Sequence, residues 1–160
     1  MSPSLRYVLQ LADPRGRSDR TEFIWAAITL IAAQLAFALG LWVTNASFMG
    51  WRGLVANLVF GWLTCAAIAK RLHDIGRSVW WMLGGILAWL AVAIVVALIV
   101  ALVAGPQALE TGTRGFWATF AALMAPPFGL AMWLHLAEGE PAANRYGPAS
   151  AHSGAGLQPA

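Results

Sequence analysis

The chain has 160 residues, of which 59% are hydrophobic and only 11% charged, with a mean hydropathy of +0.66. A water-soluble domain carries about a quarter charged residues, so this composition excludes a soluble globular protein. The net charge is +3, and the single cysteine, Cys65, excludes an internal disulfide and offers no metal-ligand spacing.

The first 22 residues are polar and charged, and the apolar run after them exceeds a signal-peptide core of ~7–15 residues, so a cleaved secretory signal is not expected. Within this segment Leu5, Val8, Leu9 and Ala12 fall at helical spacing, bounded by Pro3 and by Asp13-Pro14. That pattern predicts a short N-terminal helix over Ser4–Ala12, lying on the membrane surface or packed on the other helices. Asp19-Arg20-Thr21-Glu22 is a capping-box sequence for the first long helix, with Ser18 as the competing cap.

Four apolar runs follow, at about Phe23–Thr44, Trp51–Ala69, Val79–Ala104 and Phe116–Leu136. Each reaches the roughly 20 residues that cross ~30 Å of hydrocarbon as a helix. Strands with unpaired edges are excluded there, because lipid offers their backbone groups no partner. The expected fold is an all-α membrane protein, a four-transmembrane-helix bundle of two antiparallel hairpins within one membrane domain, 1–148, followed by a disordered tail, 149–160. Trp25, Trp42, Trp51, Trp80, Trp81, Trp117 and Trp133 fall near the span ends, where indole rings favour the interface; Trp62 and Trp89 lie deeper and are expected to pack between helices.

Asn45–Gly50 reads as a tight turn between the first two spans. Gln34 and Asn57 are the deepest polar residues there, with interhelical hydrogen bonding as their default role. At Ala69–Trp81, Lys70 and Arg71 occupy a last helical turn, Gly76 suits the left-handed position beyond it, and Ser78 is positioned to cap the next helix. Pro126-Pro127 interrupts the fourth span and releases the carbonyls of Ala122 and Leu123. Gly16-Arg17-Ser18 is echoed by Gly76-Arg77-Ser78, a hint of duplicated hairpins.

Basic residues divide unevenly between the two membrane faces. Arg6, Arg15, Arg17, Arg20, Lys70, Arg71, Arg77 and Arg145 fall on one side, against Arg52 and Arg114 on the other. The positive-inside rule therefore predicts both termini and the central charged knot in the cytoplasm.

Three polar motifs share that face: Gly16-Arg17-Ser18-Asp19-Arg20-Thr21-Glu22-Phe23, then Arg71-Leu72-His73-Asp74-Ile75-Gly76-Arg77-Ser78 before Trp80-Trp81, then Asn144-Arg145-Tyr146-Gly147-Pro148. In this order they resemble the domain-of-unknown-function family 805, small bacterial inner-membrane proteins, over Gly16–Pro148. One departure stands in the first motif, where Ile24 occupies a place usually aromatic and Trp25 follows it. The resemblance implies a four-helix inner-membrane protein and no established activity.

The candidate site is the polar cluster of Arg17, Arg20, Glu22, Arg71, His73, Asp74, Arg77, Asn144, Arg145 and Tyr146. Its leading expectation is structural, with arginine forks meeting Asp19, Glu22, Asp74 or Glu138 and locking the three motifs together. The functional expectation is that remaining arginines bind anionic lipid headgroups or scaffold a partner at the inner leaflet. The alternatives are an oligomeric channel or transporter, and an interfacial enzyme in which His73 meets Glu22 or Glu138. Against them, the spans hold no Lys, Arg, Asp or Glu beyond Arg52 at a rim, and His73 and Asp74 point about 100° apart on one helix. His135 and Glu138, three residues apart, are too few for a metal site. No catalytic residue, metal, cofactor or nucleic-acid partner is expected; a homo-oligomer is compatible with the sequence.

Overall fold

The computed structural model describes residues 9–47 and 50–148; residues 4–8 of the expected N-terminal helix and the tail 149–160 lie outside them. The fold is all-α. Four long apolar helices carry it: α1 (Arg20–Val43), α2 (Trp51–Asp74), α3 (Trp80–Ala104) and α4 (Arg114–Leu136), with a short 3-10 turn, Pro106–Leu109, before α4. Each has 23–25 residues, hence about 35 Å of length and enough to cross a membrane. Among the described residues the one extended pairing is an isolated bridge, Asn144 with Gly147.

The chain divides into two compact units. One holds residues 1–78 together with 137–160, and so contains α1, α2 and the C-terminal segment; the other is residues 79–136, with α3 and α4.

In the first unit α1 starts where the capping box places it. Asp19 is the N-cap: its carboxylate accepts the Glu22 N–H at 2.8 Å, and the Glu22 carboxylate accepts the Asp19 N–H at 3.2 Å. At the far end Asn45 takes the left-handed conformation (φ 51°), and the Ala46 N–H reaches the Leu41 carbonyl at 2.9 Å, closing the helix as a glycine would. Phe37 and Phe60 meet edge-to-face at 6.1 Å between α1 and α2. Gln34 and Asn57 line one groove between these helices, yet neither side chain is hydrogen-bonded among the described residues, contrary to the expected interhelical bond.

Helix α2 runs five residues past its apolar stretch, to Asp74, and ends on Gly76 (φ 75°) as predicted. The Gly76 N–H bonds the His73 carbonyl at 3.1 Å and the Arg77 N–H bonds the Leu72 carbonyl at 2.7 Å, the paired bonds of a Schellman ending. The helical turn at residues 9–12 is tied to α2: Trp62 Nε1 donates to the Ala12 carbonyl at 2.9 Å and Lys70 Nζ to the Gln10 carbonyl at 2.6 Å. Trp62 is thus not packed between spans; it is largely exposed and pins the N-terminal segment.

In the second unit α3 begins without the predicted Ser78 cap. The N-cap is Val79, already helical in φ and ψ, and no side chain bonds there. Thr113 caps α4 instead, its hydroxyl accepting the Phe116 N–H at 3.0 Å. Helix α4 continues through Pro126 and Pro127. Of the carbonyls they release, that of Leu123 accepts a hydrogen bond from Trp89 Nε1 of α3 at 2.7 Å. Trp89→Phe removes that donor in an apolar setting, and a stability loss of about 1–3 kcal/mol is expected in detergent-unfolding titrations.

Burial is the reverse of a soluble protein's. Helix α3 has no buried residue, and large apolar side chains are exposed along all four helices. In the first unit most buried residues gather at the polar end, Ser18, Asp19, Phe23, Ala26 and Leu30 on one side and Ala66, Ala67, Ala69, Arg71, Leu72, His73 and Asp74 on the other, with Leu41 and Gly53 buried at the opposite end. Lipid replaces water against the rest, so dense internal packing is needed only where charge has to be ordered.

Candidate functional site

Asp74 is the hub of that polar end. Its side chain and that of Arg17 are each 2% exposed, and the Arg71 side chain 1%. Arg17 directs Nε and Nη2 at Asp74 Oδ1, at 3.2 and 3.1 Å, while Arg71 Nη1 donates to Oδ2 at 2.6 Å. One carboxylate thus joins the segment before α1 to the end of α2. Two buried guanidiniums share the Asp74 carboxylate, and backbone carbonyls accept from further N–H groups of both. Arg17 Nη1 donates to the Ala142 carbonyl at 2.7 Å and Nη2 to the Glu140 carbonyl; Arg71 Nη2 donates to the Ala137 carbonyl. The Glu140 N–H returns a bond to the Asp74 carbonyl at 2.8 Å. All three polar segments are therefore fastened through Arg17, Arg71 and Asp74, an arrangement we call the latch.

A second set of contacts runs beside it. His73 Nδ1 lies 3.0 Å from the Gly16 carbonyl, which can only accept, so the proton sits on Nδ1. The His73 ring stacks on Tyr146 with centroids 3.9 Å apart and planes 11° from parallel. Asn144 uses its whole amide: Nδ2 donates to the His73 carbonyl at 3.0 Å and to Glu140 Oε2 at 2.7 Å, and Oδ1 accepts the Tyr146 N–H at 2.9 Å. His73 meets neither Glu22 nor Glu138, the partners considered from sequence.

The remaining candidates sit elsewhere. Glu22 closes the capping box and makes no arginine ion pair among the described residues. Arg20 is exposed, with Nη2 3.3 Å from the Ala137 carbonyl. Arg77 contributes its backbone to the α2 ending, while its side chain is at the surface. Arg145 is exposed, its guanidinium 4.7 Å above the Tyr146 ring, not on a carboxylate.

One glycine outside the predicted set is demanded by the site: a Cβ on Gly139 would fall onto the buried Asp74 carboxylate, whereas at Gly76 it is the positive φ that calls for glycine. Glu140, not Glu138, is the acid engaged with the C-terminal motif. The sequence signal was slight: Glu138-Gly139-Glu140-Pro141 reads as an ordinary turn.

Four apolar membrane-length helices with their densest order in a charged knot at the helix ends define a multi-pass α-helical membrane protein. Within that class the chain belongs to the family described as protein of unknown function (DUF805), whose model matches residues 11–148 and so takes in all three motifs. No curated protein and no solved structure matches the chain.

Proposed function

We propose that the protein resides in the bacterial inner membrane with both termini cytoplasmic, and that it binds anionic lipid or scaffolds a partner at the inner leaflet through a basic rim. The observation that carries this reading is the division of labour among the arginines. Arg17 and Arg71 are taken up by Asp74 and by carbonyls, whereas Arg15 and Arg145 lie exposed in the same unit. A basic side chain close to an anionic leaflet contributes about 1 kcal/mol, so several together give useful binding without a deep pocket. The orientation rests on the excess of basic residues on that face. The role is read as binding, not turnover, since the His73 ring is engaged at Nδ1 by Gly16 and across its face by Tyr146.

Arg71→Ala is a poor test, because it dismantles the latch. Arg15→Ala/Arg145→Ala is the better one. Dioleoylphosphatidylglycerol carried through purification at low salt should fall several-fold in this variant, and in the wild type it should fall as salt shortens the Debye length from about 10 Å at 0.1 M to about 3 Å at 1 M. Lipid retention indifferent to both changes would overturn the proposal.

A further inference from the structure

A cavity of ≈600 Å³ lies in the first unit between the residue 9–12 turn, α1 and α2, bordering the latch at Arg17. Its walls differ in character along its length. Lys70, Glu22, Ser18 and Arg17 stand where the apolar runs give way to charge, the Arg17 side chain being 2% exposed and already bonded to Asp74 and to the Ala142 and Glu140 carbonyls; Trp25, Ala26 and Ala67 continue the wall along the apolar parts of α1 and α2. Lys70 Nζ uses one N–H on the Gln10 carbonyl, leaving two. Glu22 engages Oε2 in the capping box, leaving Oε1. Lys70 and Glu22 both face this cavity, and among the described residues neither is in an ion pair.

We infer that the cavity binds one glycerophospholipid whose headgroup carries both a phosphate and a primary ammonium. The phosphate meets the Lys70 ammonium and the Ser18 hydroxyl, the lipid's ammonium donates to the Glu22 carboxylate, and the acyl chains run along Trp25, Ala26 and Ala67. Charge complementarity selects the headgroup. A purely anionic headgroup brings no cation of its own to the Glu22 carboxylate, and a quaternary ammonium has no N–H to donate to it. The amphipathic wall selects a lipid over a small water-soluble zwitterion. This site is distinct from the exposed rim and does not depend on it. The rim acts by diffuse, salt-screened attraction, while the cavity holds one molecule by direct contacts that salt screens far less.

The test is native mass spectrometry of the full-length protein purified through a wash at about 1 M salt, which screens the rim. The protein is incubated separately with dioleoyl-phosphatidylethanolamine, -phosphatidylcholine and -phosphatidylglycerol. One phosphatidylethanolamine per chain is expected, retained about tenfold better than either of the others, as befits one charge-assisted hydrogen bond. Glu22→Gln keeps the capping box, which accepts glutamine, and removes only the charge. It should lose the preference and raise phosphatidylglycerol retention about tenfold, a gain that misfolding cannot produce. Lys70→Gln should lower retention of all three lipids. Equal retention of the three by the wild type, or an unchanged ratio in Glu22→Gln, overturns the inference.

Discussion

Asp74→Asn is expected to destabilise the protein by about 3–5 kcal/mol, because it removes the one carboxylate between two buried guanidiniums. Asparagine has nearly the same shape, so packing is preserved and the loss reports charge. Neither guanidinium has an exit to water: the side chains of Arg17 and Arg71 are 2% and 1% exposed. The carbonyls of Ala137, Glu140 and Ala142 satisfy N–H groups but carry no net charge. Reversible detergent unfolding followed by circular dichroism measures the change. A loss below about 1 kcal/mol, the range of exposed pairs, would mean that water reaches the pair in the folded protein.

Gly139→Ala should do comparable harm from the opposite side of the same contact. Its new methyl group would occupy the place of the Asp74 carboxylate, so either the 137–148 segment lifts or Asp74 swings away from Arg71. Overpacking of this kind costs about 1–3 kcal/mol, and the ion pairs it disturbs add to that. Gly84→Ala is the matched comparison, since a Cβ there meets nothing within 4 Å and alanine is the better helix former. The same unfolding assay should rank Gly139→Ala well below the wild type and Gly84→Ala at or above it. If the two glycine variants prove equally stable, the close approach to Asp74 is absent in solution.

How much of this was legible beforehand depends on where the information resides. The four helices announce themselves because lipid tolerates only long uncharged helical runs, and their observed limits fall within a few residues of the apolar ones. Asp19 and Gly76 were readable because capping is local chemistry, set by neighbours in sequence. Ser78 had the right chemistry for a cap, but α3 begins beyond it, with Val79 already helical. The convergence of the three motifs followed from hydrophobic patterning, whereas the choice of Asp74 as the acid that receives both forks did not. Asp19, Glu22 and Glu138 were equally plausible acids until the fold committed Asp19 and Glu22 to the start of α1.

The acceptors that complete the latch are backbone carbonyls, which every residue carries, so no side-chain pattern could mark Ala137 or Ala142. Gly139 escaped for a related reason: its value lies in an absent side chain and is visible only once Asp74 is placed beside it. His73 looked like a candidate acid–base group from its type alone. Its surroundings show a ring held flat on Tyr146 and bonded to a carbonyl, linking the first and last motifs.

A double-mutant cycle pairing Arg17→Gln with Asp74→Asn probes the latch most directly. The two residues are 57 positions apart in sequence and in direct contact in the fold. Contact of this kind predicts a coupling of at least about 1 kcal/mol, with the double variant more stable than the sum of the single losses. Additive losses would show that Arg17 and Asp74 act independently, and that the polar segments are not fastened to one another through this carboxylate.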